Sequence, residues 1–213
     1  MSILIEIENI YKSFKDENVL RGISYNFEKG QIHGIVGFNG SGKTVLLKCI
    51  CGFMYPDSGT IRVNGKVIGK DVDFPESIGA IIETPGFLTE LNGFQNLRRL
   101  AALRNKIGKS EIYDAMRIVG LDPENKKKVR NYSLGMRERL GIAQAIMEQP
   151  ELLILDEPFN GLDRRMVETV CDLLDSLRRK GTTILLAGHN ITEIQTLSDS
   201  ICEMNAGEIK RIR

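Results

Sequence analysis

Gly37-Phe38-Asn39-Gly40-Ser41-Gly42-Lys43-Thr44 reads G-x-x-x-x-G-K-T, and this spacing decides the fold. Glycines at these positions let the backbone close into a nest whose N–H groups point at phosphate oxygens. Lys43 is placed to reach the outer phosphates of a nucleotide, and the Thr44 hydroxyl to ligate Mg²⁺. The flanks agree. Gln31-Ile32-His33-Gly34-Ile35-Val36 is a short, largely apolar run, as a buried strand would be. Val45-Leu46-Leu47-Lys48-Cys49-Ile50 reads as a helix whose positive dipole end lies at the phosphates. Strand, glycine-rich loop and helix in this order predict an α/β fold of the P-loop nucleotide triphosphatase kind.

A second stretch supplies the carboxylates. Leu152-Leu153-Ile154-Leu155-Asp156-Glu157 is an apolar strand ending in two acids. Beside a phosphate loop, Asp156 reaches the Mg²⁺ shell, and Glu157 can accept a proton from a water attacking the γ-phosphate.

Four further motifs specify the family. Asn131-Tyr132-Ser133-Leu134-Gly135-Met136-Arg137 resembles the signature of ABC-type ATPases, which usually reads Leu-Ser-Gly-Gly-Gln. Asn160-Gly161-Leu162-Asp163 resembles the D-loop, Lys12-Ser13-Phe14 the aromatic A-loop, and His189, after Thr183-Ile184-Leu185-Leu186-Ala187, stands where the family has its switch histidine. The resemblance runs along essentially the whole chain, with the motifs in the family's order. It implies ATP and Mg²⁺ as ligands. Gly37, Asn39, Gly40, Ser41, Gly42, Lys43 and Thr44 would bind phosphate, Phe14 adenine, and Thr44 and Asp156 the metal. Glu157 and His189 would be catalytic. It also implies a head-to-tail pair of ATPase subunits, either two copies of this chain or this chain with a different one. Ser133, Gly135 and Asp163 would then complete the partner's site. Integral-membrane permease subunits would be the further partners.

The sequence departs from the family pattern in the signature, at Leu134 and Met136, and after Ile78-Gly79-Ala80-Ile81-Ile82, where Glu83 replaces the usual glutamine. That glutamine contacts Mg²⁺ and the attacking water, so the resemblance makes Glu83 both a catalytic and a metal-site residue. An amide donates and accepts, whereas an ionised carboxylate only accepts. These departures look like the subgroup that exports bacitracin and lantibiotic-type antimicrobial peptides. Phe87 and Phe94 would belong to a groove for a permease helix.

The remaining sequence fits one α/β unit of 213 residues with an inserted lobe. Residues 1–36 alternate as antiparallel strands, with turns at Lys15-Asp16-Glu17-Asn18 and Glu28-Lys29-Gly30. Asn64-Gly65 predicts a hairpin over 60–68, and Met204–Ile209 predicts another. Between 87 and 148 the period turns helical: Leu97, Leu100, Ala101 and Ile112, Ala115, Met116, Val119 share faces. The catalytic core with its antiparallel β subdomain is therefore expected over 1–86 and 149–213, built on a mixed sheet, and the helical signature lobe over 87–148.

Lys plus Arg number 29 and Asp plus Glu 28, a net charge of +1, which argues against a nucleic-acid surface. The basic run Lys126–Arg130 reads as a solvated loop. No apolar run approaches the ~18 residues of a membrane helix, and no basic n-region precedes the first strand. The protein is expected in the cytoplasm, on the inner face of the membrane through its permease. Cys49 and Cys51 do not share a helix face, and Cys171 and Cys202 read as small core residues. His33 reads as a satisfied core histidine. Three other classes are weighed: a soluble ABC-type ATPase working on a non-transport partner, a binder that closes on ATP without hydrolysis, and a small-molecule kinase. The first lacks the heptad run or second phosphate loop it would need. The second is at odds with Glu157 and His189, and the third leaves the signature unexplained.

Overall fold

The computed structural model describes residues 2–15, 17–189 and 191–213, leaving out the side chain of Ile191. The chain opens with β1 (Ile3–Phe14) and β2 (Glu17–Glu28), then β3 (Ile32–Val36) and α1 (Lys43–Cys51). β4 (Ser58–Val63), β5 (Lys66–Val67) and β6 (Ile78–Ile81) follow. Three helices come next: α2 (Gly93–Arg104), α3 (Lys109–Ile118) and α4 (Leu134–Ile146). The α/β pattern resumes with β7 (Leu152–Asp156), α5 (Arg164–Arg179), β8 (Thr183–Gly188), α6 (Ile191–Leu197), β9 (Ser200–Asn205) and β10 (Glu208–Arg211).

Two sheets form. The first is antiparallel, in the order β2-β1-β4-β5. Its last hairpin turns at Asn64 (φ 52°) and Gly65 (φ 76°), both left-handed as a type I′ turn requires. The second has the order β10-β9-β3-β8-β7-β6 and is parallel apart from the β9–β10 hairpin. A mixed sheet and an antiparallel β subdomain were the expectation.

Strand β7 is buried along its length, so its side chains alternate between two cores. Leu152 and Ile154 join Leu46, Leu47 and Ile50 of α1 and the apolar face of the antiparallel sheet. Leu153 and Leu155 join residues of α2, α3, α4 and α5 on the other side. The faces expected at Leu97, Ala101, Ile112, Ala115, Met116 and Val119 are buried there. Central parallel strands covered on both faces read as continuous apolar runs, as this one does.

Two expectations need correcting. Glu17 and Asn18, expected in the turn, lie within β2, where Glu17 pairs with Phe14 and Asn18 with Ser13; Asp16 lies outside the described residues. Cys171 is half-buried rather than a core residue, since α5 turns it away from Val170 and Leu174, which point inward. Phe87 and Phe94 are partly buried against the helical core, with Phe94 edge-on to Tyr113 at 5.1 Å. Burial pushes the thiols of Cys49 and Cys51 up to about 11 and about 12, which keeps them protonated as small apolar fillers. Among the described residues, no helix is long and apolar enough to cross a membrane.

His33 sits in the middle of the fold. Its Nε2 donates to the Glu28 carbonyl at 2.8 Å, and its Nδ1 accepts from the Ser200 hydroxyl at 2.7 Å. Burial lowers its pKa from 6.5. The unfolded chain therefore takes up this proton more readily than the folded one, and stability falls as pH drops below about 6.5. Thermal unfolding between pH 7.5 and 5.5 tests this: wild type should lose melting temperature toward acid, while His33→Leu should start lower and show a shallower slope.

Candidate functional site

Register brings the site together. Val36 pairs with Gly188, Asp156 with Ala187, and Ile81 with Leu155, so β3, β8, β7 and β6 end at one edge of the sheet. The phosphate loop, Glu157, His189 and Glu83 all follow directly from those ends. Open α/β sheets bind ligands at the carboxyl ends of their strands.

A groove of about 310 Å³ lies there, lined by Asn39, Gly40, Ser41, Gly42, Lys43, Thr44, Asp156 and Glu157, together with Glu17 and Val19 of β2. The helix α1 begins at Lys43, so its free N–H groups face this groove. Lys43 is buried at 5% exposure. Its Nζ donates to the carbonyls of Gly37 at 2.7 Å and Phe38 at 3.1 Å. Among the described residues no carboxylate makes a direct ion pair with it, Asp156 acting on it only at longer range, and a buried cation so placed favours an anion in the groove.

Thr44 Oγ1 donates to Asp156 Oδ2 at 2.6 Å. Asp156 Oδ1 and Ser41 Oγ are buried and have no hydrogen-bond partner among the described residues. An unsatisfied buried oxygen costs about 1–3 kcal/mol, and both atoms belong to residues that line the groove. A cation beside Asp156 and a phosphate oxygen beside Ser41 would satisfy them. Burial also raises the Asp156 pKa, against the Thr44 hydrogen bond, so the carboxylate gains from a nearby positive charge. No three His, Cys, Asp or Glu residues converge into a cation cage among the described residues.

Glu157 has a left-handed backbone (φ 53°), and its N–H donates to the Ala187 carbonyl at 2.9 Å. The Glu157 carboxylate meets His189 Nδ1 at 2.9 Å. The Glu157 side chain is 25% exposed and that of His189 56%, so the pair sits at the mouth of the groove. Glu83 is also left-handed (φ 61°) and faces Lys48 Nζ at 2.6 Å.

The other anticipated residues stand apart from the groove. Ser133 caps α4, its Oγ accepting from the Met136 N–H at 3.2 Å, which leaves its own O–H free to donate. Gly135 and Leu134 lie against Gly161: a Cβ on Gly161 would stand 2.8 Å from Leu134. Asp163 caps α5 through the Met166 N–H at 2.9 Å. Phe14 is 43% exposed at the β1–β2 tip, with Lys12 Nζ 5.7 Å from its ring centre. Sequence reasoning missed Glu17, Val19 and Lys48. Only a strand running past the phosphate loop would have signalled the first two.

The sequence pattern described as ABC transporter matches residues 20–160. An uncharacterized ABC transporter ATP-binding protein of Bacillus subtilis (strain 168), YybJ, is 42% identical over 207 residues, 97% of this chain and 95% of the relative. The bacitracin transport ATP-binding protein BcrA of Enterococcus faecalis is 42% identical over 211 residues, 98% of this chain and 68% of the relative. A solved structure described as the ATP binding subunit of an ABC transporter superposes with a TM-score of 0.87 at 27% identity, over 98% of this chain and 90% of that one. The chain belongs to the ABC transporter family and is one of its ATPase subunits.

Two glycines of the loop separate backbone freedom from space. Both have positive φ, but a Cβ on Gly40 meets nothing within 4 Å, whereas one on Gly42 would stand 2.9 Å from the Val19 carbonyl. Gly42→Ala should weaken binding of a fluorescent ATP analogue about tenfold more than Gly40→Ala, the difference a clash of about 1–2 kcal/mol makes. Equal losses would contradict this geometry.

Proposed function

We propose that this ABC-family ATPase hydrolyses ATP in the groove at the sheet edge to power export of antimicrobial peptides of the bacitracin kind through separate permease subunits. What carries the catalytic part of the reading is the Glu157–His189 contact at 2.9 Å, beside the Thr44–Asp156 hydrogen bond at 2.6 Å. What supports the cargo is the set of departures at Glu83 and Ser133-Leu134-Gly135-Met136, together with the relative named for bacitracin transport.

In this reading the N–H groups of residues 39–44 and the Lys43 ammonium hold the β- and γ-phosphates. Thr44 and Asp156 hold Mg²⁺, with Glu83 reaching the same shell. The cation supplies charge neutralisation on the phosphates when bound. Glu157 accepts the proton of a water lined up behind the γ-phosphate. His189 fixes the Glu157 carboxylate and presents its other ring nitrogen toward the γ-phosphate. Phe14 stacks on adenine from the strand tip.

The site needs a second subunit. Ser133, Gly135 and the Asp163 loop lie outside the groove of their own chain, so they serve the groove of a partner facing it head to tail. The Ser133 O–H and the Gly135 N–H, at the positive end of α4, would donate to that partner's γ-phosphate. Closing then depends on ATP, and hydrolysis loosens the interface. The partner is a second copy of this chain or another ATPase, and no nucleic acid takes part. Residues 87–148 act as a lobe against the core formed by 1–86 and 149–213, and carry the signature toward the partner. The working place is the cytoplasmic face of the membrane.

Glu157→Gln keeps the hydrogen bond to His189 and removes the base. It should lower kcat about 10²- to 10⁴-fold while leaving ATP affinity unchanged. His189→Ala should reduce turnover in the same direction. Steady-state phosphate release and analogue binding check both, and full turnover in Glu157→Gln would refute the role of Glu157. For the cargo, a host lacking the chain should stop growing at a lower bacitracin concentration, and complementation with Glu157→Gln should not restore tolerance.

A further inference from the structure

Glu83 has a partner that the reaction scheme above leaves unused. Lys48 lies four residues after Thr44 on α1, hence on the same helix face one turn further from the phosphate loop. Its Nζ meets Glu83 Oε1 at 2.6 Å, with the lysine side chain 25% exposed and the glutamate 63%. Glu83 follows β6 two residues after Ile81, and Glu157 follows β7 two residues after Leu155, the partner of Ile81. Glu83 and Glu157 therefore leave neighbouring strand ends at matched register, on the edge that also carries Asp156. Three carboxylates, Asp156, Glu157 and Glu83, thus crowd an edge that must also accept a polyphosphate. Lys43 is committed to the loop carbonyls. Among the described residues, Lys48 is the further lysine or arginine that makes an ion pair with this cluster.

We infer that Lys48 is a positioning residue that holds Glu83 as a stand-in for the divalent cation, and that the Lys48–Glu83 pair sets the cation concentration at which the nucleotide site becomes complete. This rests on the reading that Glu83 serves the metal side of the groove. The carboxylate can face the ammonium or the cation. Its Oε1 contact with Lys48 competes with engagement of the cation for the orientation and charge of the carboxylate, so the lysine raises the cation concentration required. The ion pair also cancels a negative charge that would otherwise repel cation-free ATP. Removing Lys48 has two opposed consequences: tighter use of the cation, and weaker binding of the nucleotide without it. A surface ion pair that only ties α1 to the β6 loop would produce neither.

The test measures fluorescence of methylanthraniloyl-ATP across a series of MgCl₂ concentrations, in the slow-turnover Glu157→Gln background, so that binding rather than activity is read. Lys48→Met should lower the half-maximal MgCl₂ concentration roughly two- to fivefold, the range open to a partly exposed ion pair, and should weaken binding in the absence of Mg²⁺. Lys48→Arg should restore the original midpoint. In Glu83→Gln protein the Lys48→Met shift should vanish. A Glu83→Gln change that moves the midpoint while Lys48→Met does not would overturn the role of Lys48 and leave the reading of Glu83 intact. Equal Lys48→Met shifts with and without Glu83 would overturn it as well, because the lysine would then act without its partner. A midpoint untouched by Glu83→Gln alone would remove the reading of Glu83 and this inference together. Thermal melting of each variant separates these outcomes from loss of fold.

Discussion

The parallel register of β3, β8, β7 and β6 is the constraint on which the rest depends. Side-chain direction in a strand has a period of two, so a one-residue slip of β7 would exchange its two apolar faces and withdraw Asp156 from Thr44. Because β7 is buried on both sides, such a slip would also break two cores at once. The same apolar packing that stabilises the sheet therefore fixes the positions of Asp156, Glu157 and His189 relative to the loop at 37–44. Register thus sets which side chains reach the edge, in steps of a whole residue.

On that edge the electrostatics are deliberately incomplete. Among the described residues Lys43 is buried without a direct ion pair, and Asp156 has one oxygen that nothing satisfies. Each cost favours a ligand of opposite charge, and a polyphosphate carrying a cation answers both. The left-handed backbones of Glu83 and Glu157 add strain of about 1–3 kcal/mol each, at the two positions where a strand must end abruptly to present a carboxylate. Glu157 is further fixed by its N–H bond to the Ala187 carbonyl, which ties it to the strand that leads to His189. Charged groups held in place by the fold before a ligand arrives are the arrangement that electrostatic preorganisation requires.

Much of this was legible in the chain itself, because the relevant signals are local. The phosphate loop, the apolar strand ending in Asp156-Glu157, the Asn64-Gly65 turn and the helix faces at Leu97 and Ile112 each lie within a dozen residues, and each is where the sequence placed it. What escaped was long-range. Nothing in Ser200–Asn205 announces that this strand returns to lie beside β3, a pairing across more than 160 positions. Glu17 and Val19 border the groove only because β2 runs past the loop. The Lys48–Glu83 pair joins residues 35 positions apart, on elements whose relative placement is a tertiary result. Cys171 was misjudged because an apolar residue within a helical period can still face the helix boundary.

The central claim is that two subunits close around ATP held between the groove of one and the Ser133–Gly135 segment of the other. Light scattering of purified Glu157→Gln protein with and without MgATP tests this most directly, since slowed hydrolysis holds the closed state. The account predicts a monomer that becomes a dimer only when MgATP is present, and that stays a monomer when Ser133 is replaced by arginine. A dimer that forms equally without nucleotide, or that survives the Ser133→Arg change, would contradict it.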